Sequence, residues 1–159
     1  MGTSPIPNIV NAMLDGLPAA FTAAGITVEV YDGFGTSNDP GNFVMIGVDD
    51  PDSATGRVAH GVQTYPLANG RSRNEEGRIT SAAVAWVGDP DGMRQARTDV
   101  FAITSVIENW LRSQGAPPVF GLPNALEIGF GDTIDYMQDS LSGGVVATVI
   151  FAVKYKVRI

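Results

Sequence analysis

His60 is the only histidine in the chain, and cysteine is absent. One histidine excludes a two-histidine metal site and a multi-histidine proton relay. A Ser-His-Asp triad would have to use it, and no G-x-S-x-G turn presents a serine to it. Without cysteine there is no disulfide, no thiol nucleophile and no thiolate metal site. His60, in weakly patterned surroundings, reads as a structural or surface residue. Two acidic groups, Asp49-Asp50-Pro51-Asp52 and Asp89-Pro90-Asp91, carry oxygen ligands suited to a hard cation. Neither has the spacing of a calcium loop. Asp and Pro are also what a strand-ending turn and a helix start require, which is how these groups read. Gly33-Phe34-Gly35 and Gly129-Phe130-Gly131 begin like phosphate-binding loops. Neither continues as G-x-G-x-x-G into a helix, and no Walker lysine exists, because Lys154 and Lys156 are the only lysines. These glycines are expected to make turns or a bulge. No metal, cofactor or catalytic residue is assigned, and the chain is not expected to be an enzyme.

Two charged groups remain. Arg71, Arg73, Glu75, Glu76 and Arg78 form a dense mixed-charge segment. It reads either as a solvated hairpin tip or as a contact arm in an oligomer, where opposite charges on neighbours fix register. Lys154, Lys156 and Arg158 lie on one parity of the final run. The other parity, Val145, Ala147, Val149, Phe151, Val153, Tyr155, Val157 and Ile159, is apolar throughout. A period of two places these sets on opposite faces of a strand. These eight charged residues are the candidate subunit-interface positions.

The elements that must position them follow from patterning. The chain of 159 residues is one domain by size and can bury a core without staples. Seventeen acidic and ten basic residues give a net charge of −7. That balance argues against a protein that grips nucleic-acid phosphates, but not against a surface that DNA slides past. No apolar run is long enough for a membrane span, and Met1 to Pro5 has no basic segment of the signal-peptide kind. A helix is expected over Pro7–Ala24, broken or kinked at Pro18, with Gly25 just past its end. Strands are expected over Ile26–Tyr31, Asn42–Asp49, Arg78–Val87, Leu126–Met137 and the closing run. Residues 54–69 read as an ambiguous extended strand or arm, and 70–77 as a loop. A second helix is expected from Asp89-Pro90 to Gly115, with an apolar seam at Met93, Ala96, Val100, Ile103, Ile107 and Trp110. Trp86 and Trp110 read as core aromatics. The order α-β-β-(β)-β-α-β-β, with strands that follow one another directly, predicts an α+β fold. In it a mainly antiparallel sheet carries two helices on one face.

Several strings in this order are familiar. They are Val28-Glu29-Val30-Tyr31-Asp32-Gly33 after an amphipathic helix, Val48-Asp49-Asp50-Pro51-Asp52, and Arg73-Asn74-Glu75-Glu76-Gly77-Arg78. Then come Val84-Ala85-Trp86-Val87-Gly88-Asp89, a helix bearing Arg94 and Arg97, and the closing Val157-Arg158-Ile159. Together they resemble the tail terminator, or tail-completion, proteins of long non-contractile-tailed phages, especially those of actinobacterial hosts. The resemblance implies a virion structural protein assembled in the host cytoplasm. Such a protein forms a ring, usually a hexamer, at the head-proximal end of the tail tube. The ring stops tube growth, joins the head-tail connector, and passes DNA through its lumen. It implies no cofactor, no membrane partner and no catalytic residue. An extended arm or loop at 54–78, read from the residues themselves, fits such a ring, whose basic residues would then meet protein neighbours rather than DNA. The alternatives are another neck or tail-tube protein and a stand-alone α+β ligand-binding or enzyme domain.

Overall fold

The computed structural model describes residues 3–35, 41–66 and 72–159. The chain runs α1 (Ile6–Ala23), β1 (Glu29–Asp32), β2 (Phe43–Ile46), β3 (Ala59–Thr64), β4 (Asn74–Val87), α2 (Met93–Arg112), β5 (Ala125–Leu141) and β6 (Gly144–Arg158). The six strands form one open sheet in the order β1-β2-β4-β6-β5, with β3 paired to the early part of β4. Pairing is antiparallel except between β1 and β2, which run parallel. The fold is the expected α+β class.

Pattern explains most of these elements. In α1 the apolar residues Ile9, Met13, Leu17 and Phe21 recur at one turn's spacing, and all are buried. Pro18 does not split the helix in two, contrary to one expectation: α1 is a single element. Pro18 has no amide to donate, but its carbonyl still accepts the Thr22 hydroxyl at 3.0 Å. The helix ends in a Schellman arrangement. Gly25 has φ +71°, its amide donates to Thr22, and Ile26 donates back to Phe21, each at 3.0 Å.

Helix α2 starts later than Asp89-Pro90 suggests, with Gly92 at its N-cap and Met93 as its first residue. Asp89 instead closes a tight turn, accepting the Asp91 amide on its side chain at 2.9 Å. Its buried stripe is Ala96, Val100, Ile103, Thr104, Ile107 and Leu111. That stripe packs on β4, β5 and β6, while α1 packs on β1, β2 and α2. Both helices therefore cover the same face of the sheet. The odd-numbered side chains of β6 from Val145 to Val157 form the floor of this core, with Ile79, Ala83 and Ala85 of β4 and Val44 and Ile46 of β2.

Three further boundaries differ from the sequence reading. Residues 74–77, expected as loop, are the first part of β4. The ambiguous segment at 54–69 contains β3, which pairs with β4 from Ala59↔Ile79 to Thr64↔Asn74. Strand β5 runs on to Leu141, so the turn before β6 narrows to Ser142-Gly143. Gly129-Phe130-Gly131 lies beside one of two irregularities in β5, between Phe130 and Ile134. That is the bulge expected of it.

Gly16 sits where α1 meets α2. A Cβ added there would stand 2.4 Å from Cζ2 of Trp110. The indole also stacks on Phe120, with centroids 5.4 Å apart. Alanine is the better helix former by about 1 kcal/mol, but here it would force the helices apart. Gly16→Ala is expected to lower the thermal midpoint. Gly16→Ala with Trp110→Leu should recover part of the loss, measured by circular dichroism.

Candidate functional site

The mixed-charge segment does not behave as one group. Arg71 lies outside the described residues. Glu75 is 2% exposed, so its side chain belongs to the interior and not to a solvated tip. Its carboxylate accepts from the Tyr155 hydroxyl at 2.8 Å, the Ser4 hydroxyl at 2.5 Å and the Gln63 amide at 2.7 Å. Three donors satisfy a buried anion without a cation. Tyr155 reaches it across Gly77 and Gly61. A Cβ at either glycine would lie 2.7 Å from the hydroxyl oxygen, so both positions must be bare. Arg73 donates to the Thr3 carbonyl at 2.8 Å, and Gln63 donates to the same carbonyl at 3.1 Å. One carboxylate thus ties β3, β4, β6 and the segment before α1 into a single joint. Burial first, and then the bond to Glu75 and its charge, push the Tyr155 pKa up.

Glu76 and Arg78 point the other way, to the face that carries no helix. There the register aligns Glu76 with Lys156 and Arg78 with Lys154. Lys156 pairs with Glu76 at 3.1 Å. Lys154 bridges Glu127 at 3.0 Å and Asp132 at 3.1 Å. Hydrogen bonds to Glu127 and then Asp132 raise its pKa. Arg78 pairs with the nearly buried Asp50 at 2.7 Å. Asp50 also accepts the Asp52 amide, which makes the expected strand-ending turn. His60 is exposed on β3, with Arg57 at 3.1 Å from its Nδ1. Arg158 is exposed at the end of β6. The structure thus brings Glu76, Arg78, Lys154 and Lys156 together on one face, where Glu76 pairs with Lys156 while Arg78 and Lys154 face each other and pair with other carboxylates, and it sends Glu75 inward.

Further along the same face the middle of the sheet is mainly apolar, with Asp135 and Asp139 on its β5 side. Trp86, Val146 and Asp139 lie abreast, then Val84, Thr148 and Met137, then Ala82, Ile150 and Asp135. Trp86, expected in the core, is only half-buried here, on the side away from the helices. Met137, Asp139, Leu141, Val146 and Thr148 line an open groove of about 610 Å3. Met137 and Leu141 are about half exposed, at 51% and 53%. Sequence reading missed this groove because its residues come from two strands whose pairing fixes their faces. The alternation Asp135, Met137, Asp139, Leu141 was its only trace.

Among the described residues no three metal-ligating side chains gather at one point, and no helix is long and apolar enough to cross a membrane. Compared with protein-family models and with curated proteins, the chain matches none.

Replacing Tyr155 by Phe should cost about 1 kcal/mol and speed hydrogen exchange at the β3 amides relative to α2. The pH dependence has a fixed sign. A tyrosine whose pKa is higher folded than unfolded keeps its proton while the unfolded chain loses it. Its contribution is intact below the unfolded value of about 10 and falls as pH rises above that. Urea denaturation in alkali should show this fall, and Tyr155→Phe should flatten it.

Proposed function

We propose that this chain is a structural subunit of a phage tail, forming a ring at the head-proximal end of the tail tube. The observation that carries the reading is a sheet completed on only one side. Helices cover one face, the other is bare, and the strands at the margins have unpaired edges. Among the described strands β5 pairs only with β6, and β3 only with β4. From Ile134 to Leu141 the β5 edge is regular, next to the exposed side chains of Met137 and Leu141. An edge of that length in a lone monomer invites pairing with another chain, and proteins normally cover or interrupt it. A subunit whose neighbours finish the sheet has a use for it.

The resemblance of the ordered strings to tail terminator proteins supplies the rest of the reading. A ring, usually a hexamer, stops tube polymerisation on one side and meets the head-tail connector on the other. DNA passes through its lumen as cargo. The balance of −7 suits a channel that does not retain DNA. The cations Lys154, Lys156 and Arg78 are already matched by carboxylates of the chain. A second reading, a tube subunit of related architecture, is favoured by the same long β5 edge, since a tube subunit must keep adding copies.

Electron microscopy and light scattering separate these. The purified chain, alone and mixed with the tube subunit encoded by the same genome, is expected to give single rings that end tube growth. Stacked rings of this chain alone would favour the tube subunit. A monomer that stays monomeric and leaves tube growth unchanged would overturn both readings.

A further inference from the structure

We infer that the apolar groove beside β5 receives the start of α2 from a second copy of this chain. The inference rests on the ring reading for its purpose, but it stands on separate observations. Val146 and Thr148 floor the groove, and its one carboxylate, Asp139, has no ion pair among the described residues and only accepts the Ser140 amide at 2.8 Å. Asp135, on the same face of β5 just beyond the groove, has no ion pair among the described residues either. This contrasts with the ladder on the same face, where Glu76, Glu127 and Asp132 all meet a lysine. An occupant of the groove must therefore bring apolar surface flanked by positive charge.

The chain itself displays such a surface. Arg94, Arg97 and Phe101 lie on the exposed side of α2. Phe101 is 37% exposed and leans on Tyr136 with centroids 5.6 Å apart. Arg97 meets only neutral partners, Tyr136 at 3.4 Å and Gln138 at 3.3 Å. The Arg94 side chain has no carboxylate partner among the described residues. Arg94 is the second residue of a helix that has no acidic residue in its first turn, where the dipole disfavours a cation, and Arg97 lies one turn further on the same side. A cation placed there has a use if a neighbour's carboxylate meets it.

Knob and groove lie on the two sides of β5: Tyr136 packs toward α2, Met137 and Asp139 line the groove, and Gln138, which accepts from Arg97, stands at the border between them. One partner cannot satisfy both. The contact is consequently head to tail, each copy giving its knob to one neighbour and its groove to the other, the arrangement that closes into rings.

A charge swap tests it. The paired substitutions Asp135→Arg with Asp139→Arg, and Arg94→Glu with Arg97→Glu, should each weaken self-association by at least about tenfold, read by sedimentation velocity. Mixed in equal amounts, the two variants should associate again, because each groove then finds a knob of opposite charge. Circular dichroism checks that both are folded. If either pair fails to fold, Asp→Asn and Arg→Gln versions should weaken association without rescue on mixing. A chain that is monomeric at every concentration reached, variants that associate like the unaltered chain, or a mixture of folded charge-reversed variants that stays monomeric would each overturn the contact. Rings that persist in both variants would overturn this contact and leave the ring reading standing. Swaps that behave as expected in a chain that does not end tube growth would do the reverse.

Discussion

The long antiparallel ladder between β4 and β6 is the constraint on which the rest depends. It runs unbroken from Asn74↔Arg158 to Val87↔Val145. A slip of one residue would turn Phe151, Val153 and Tyr155 out of the core and bring Lys154 and Lys156 in. That penalty locks the register, and the register decides every grouping on both faces. It sets Glu76 opposite Lys156 and places Gly77 under Tyr155. It also ranks Trp86, Val84 and Ala82 beside the apolar half of β6. Strands β2, β3 and β5 then attach to an edge whose phase is already fixed.

The far end of the ladder, Asn74 to Ile79 against Val153 to Arg158, carries β3 along its side. Its inward side chains Ile79, Val153, Tyr155 and Val157 belong to the core. The Glu75 joint adds a polar tie to that packing: one buried carboxylate collects donors from three other parts of the chain. Removing the carboxylate would leave the buried Tyr155 hydroxyl without this partner and free the Ser4 and Gln63 donors at its margin, so the joint acts as a unit. The segment read from sequence as an arm is built on this joint.

Much of this was legible in the sequence, for a physical reason. A strand buried on one side records its period directly, as β6 does, and a helix stripe such as that of α2 does the same. The class and the element order follow from those periods. What escaped was set by distant partners. Glu75 looks solvated beside Arg73 and Glu76, and only the approach of Tyr155 from eighty residues away makes it interior. The parallel pairing of β1 with β2 leaves no local trace, because each strand is four residues long. Asp89-Pro90 carries a good helix-start signal, yet its side chain serves the preceding turn. The candidate interface residues were found as charges, but which of them face one another depended on register. The groove was invisible for the same reason.

In the proposed ring, the arginines at the start of α2 would tie folding to concentration. In the isolated subunit Arg94 lies in the first turn, against the positive pole of its own helix. A neighbour's carboxylates would reverse the sign of that interaction. Anything that binds only the native state raises its apparent stability in proportion to the logarithm of its concentration. The subunit would then be least robust when dilute and newly made, and would gain stability as copies accumulate, so that assembly becomes the last step of its folding.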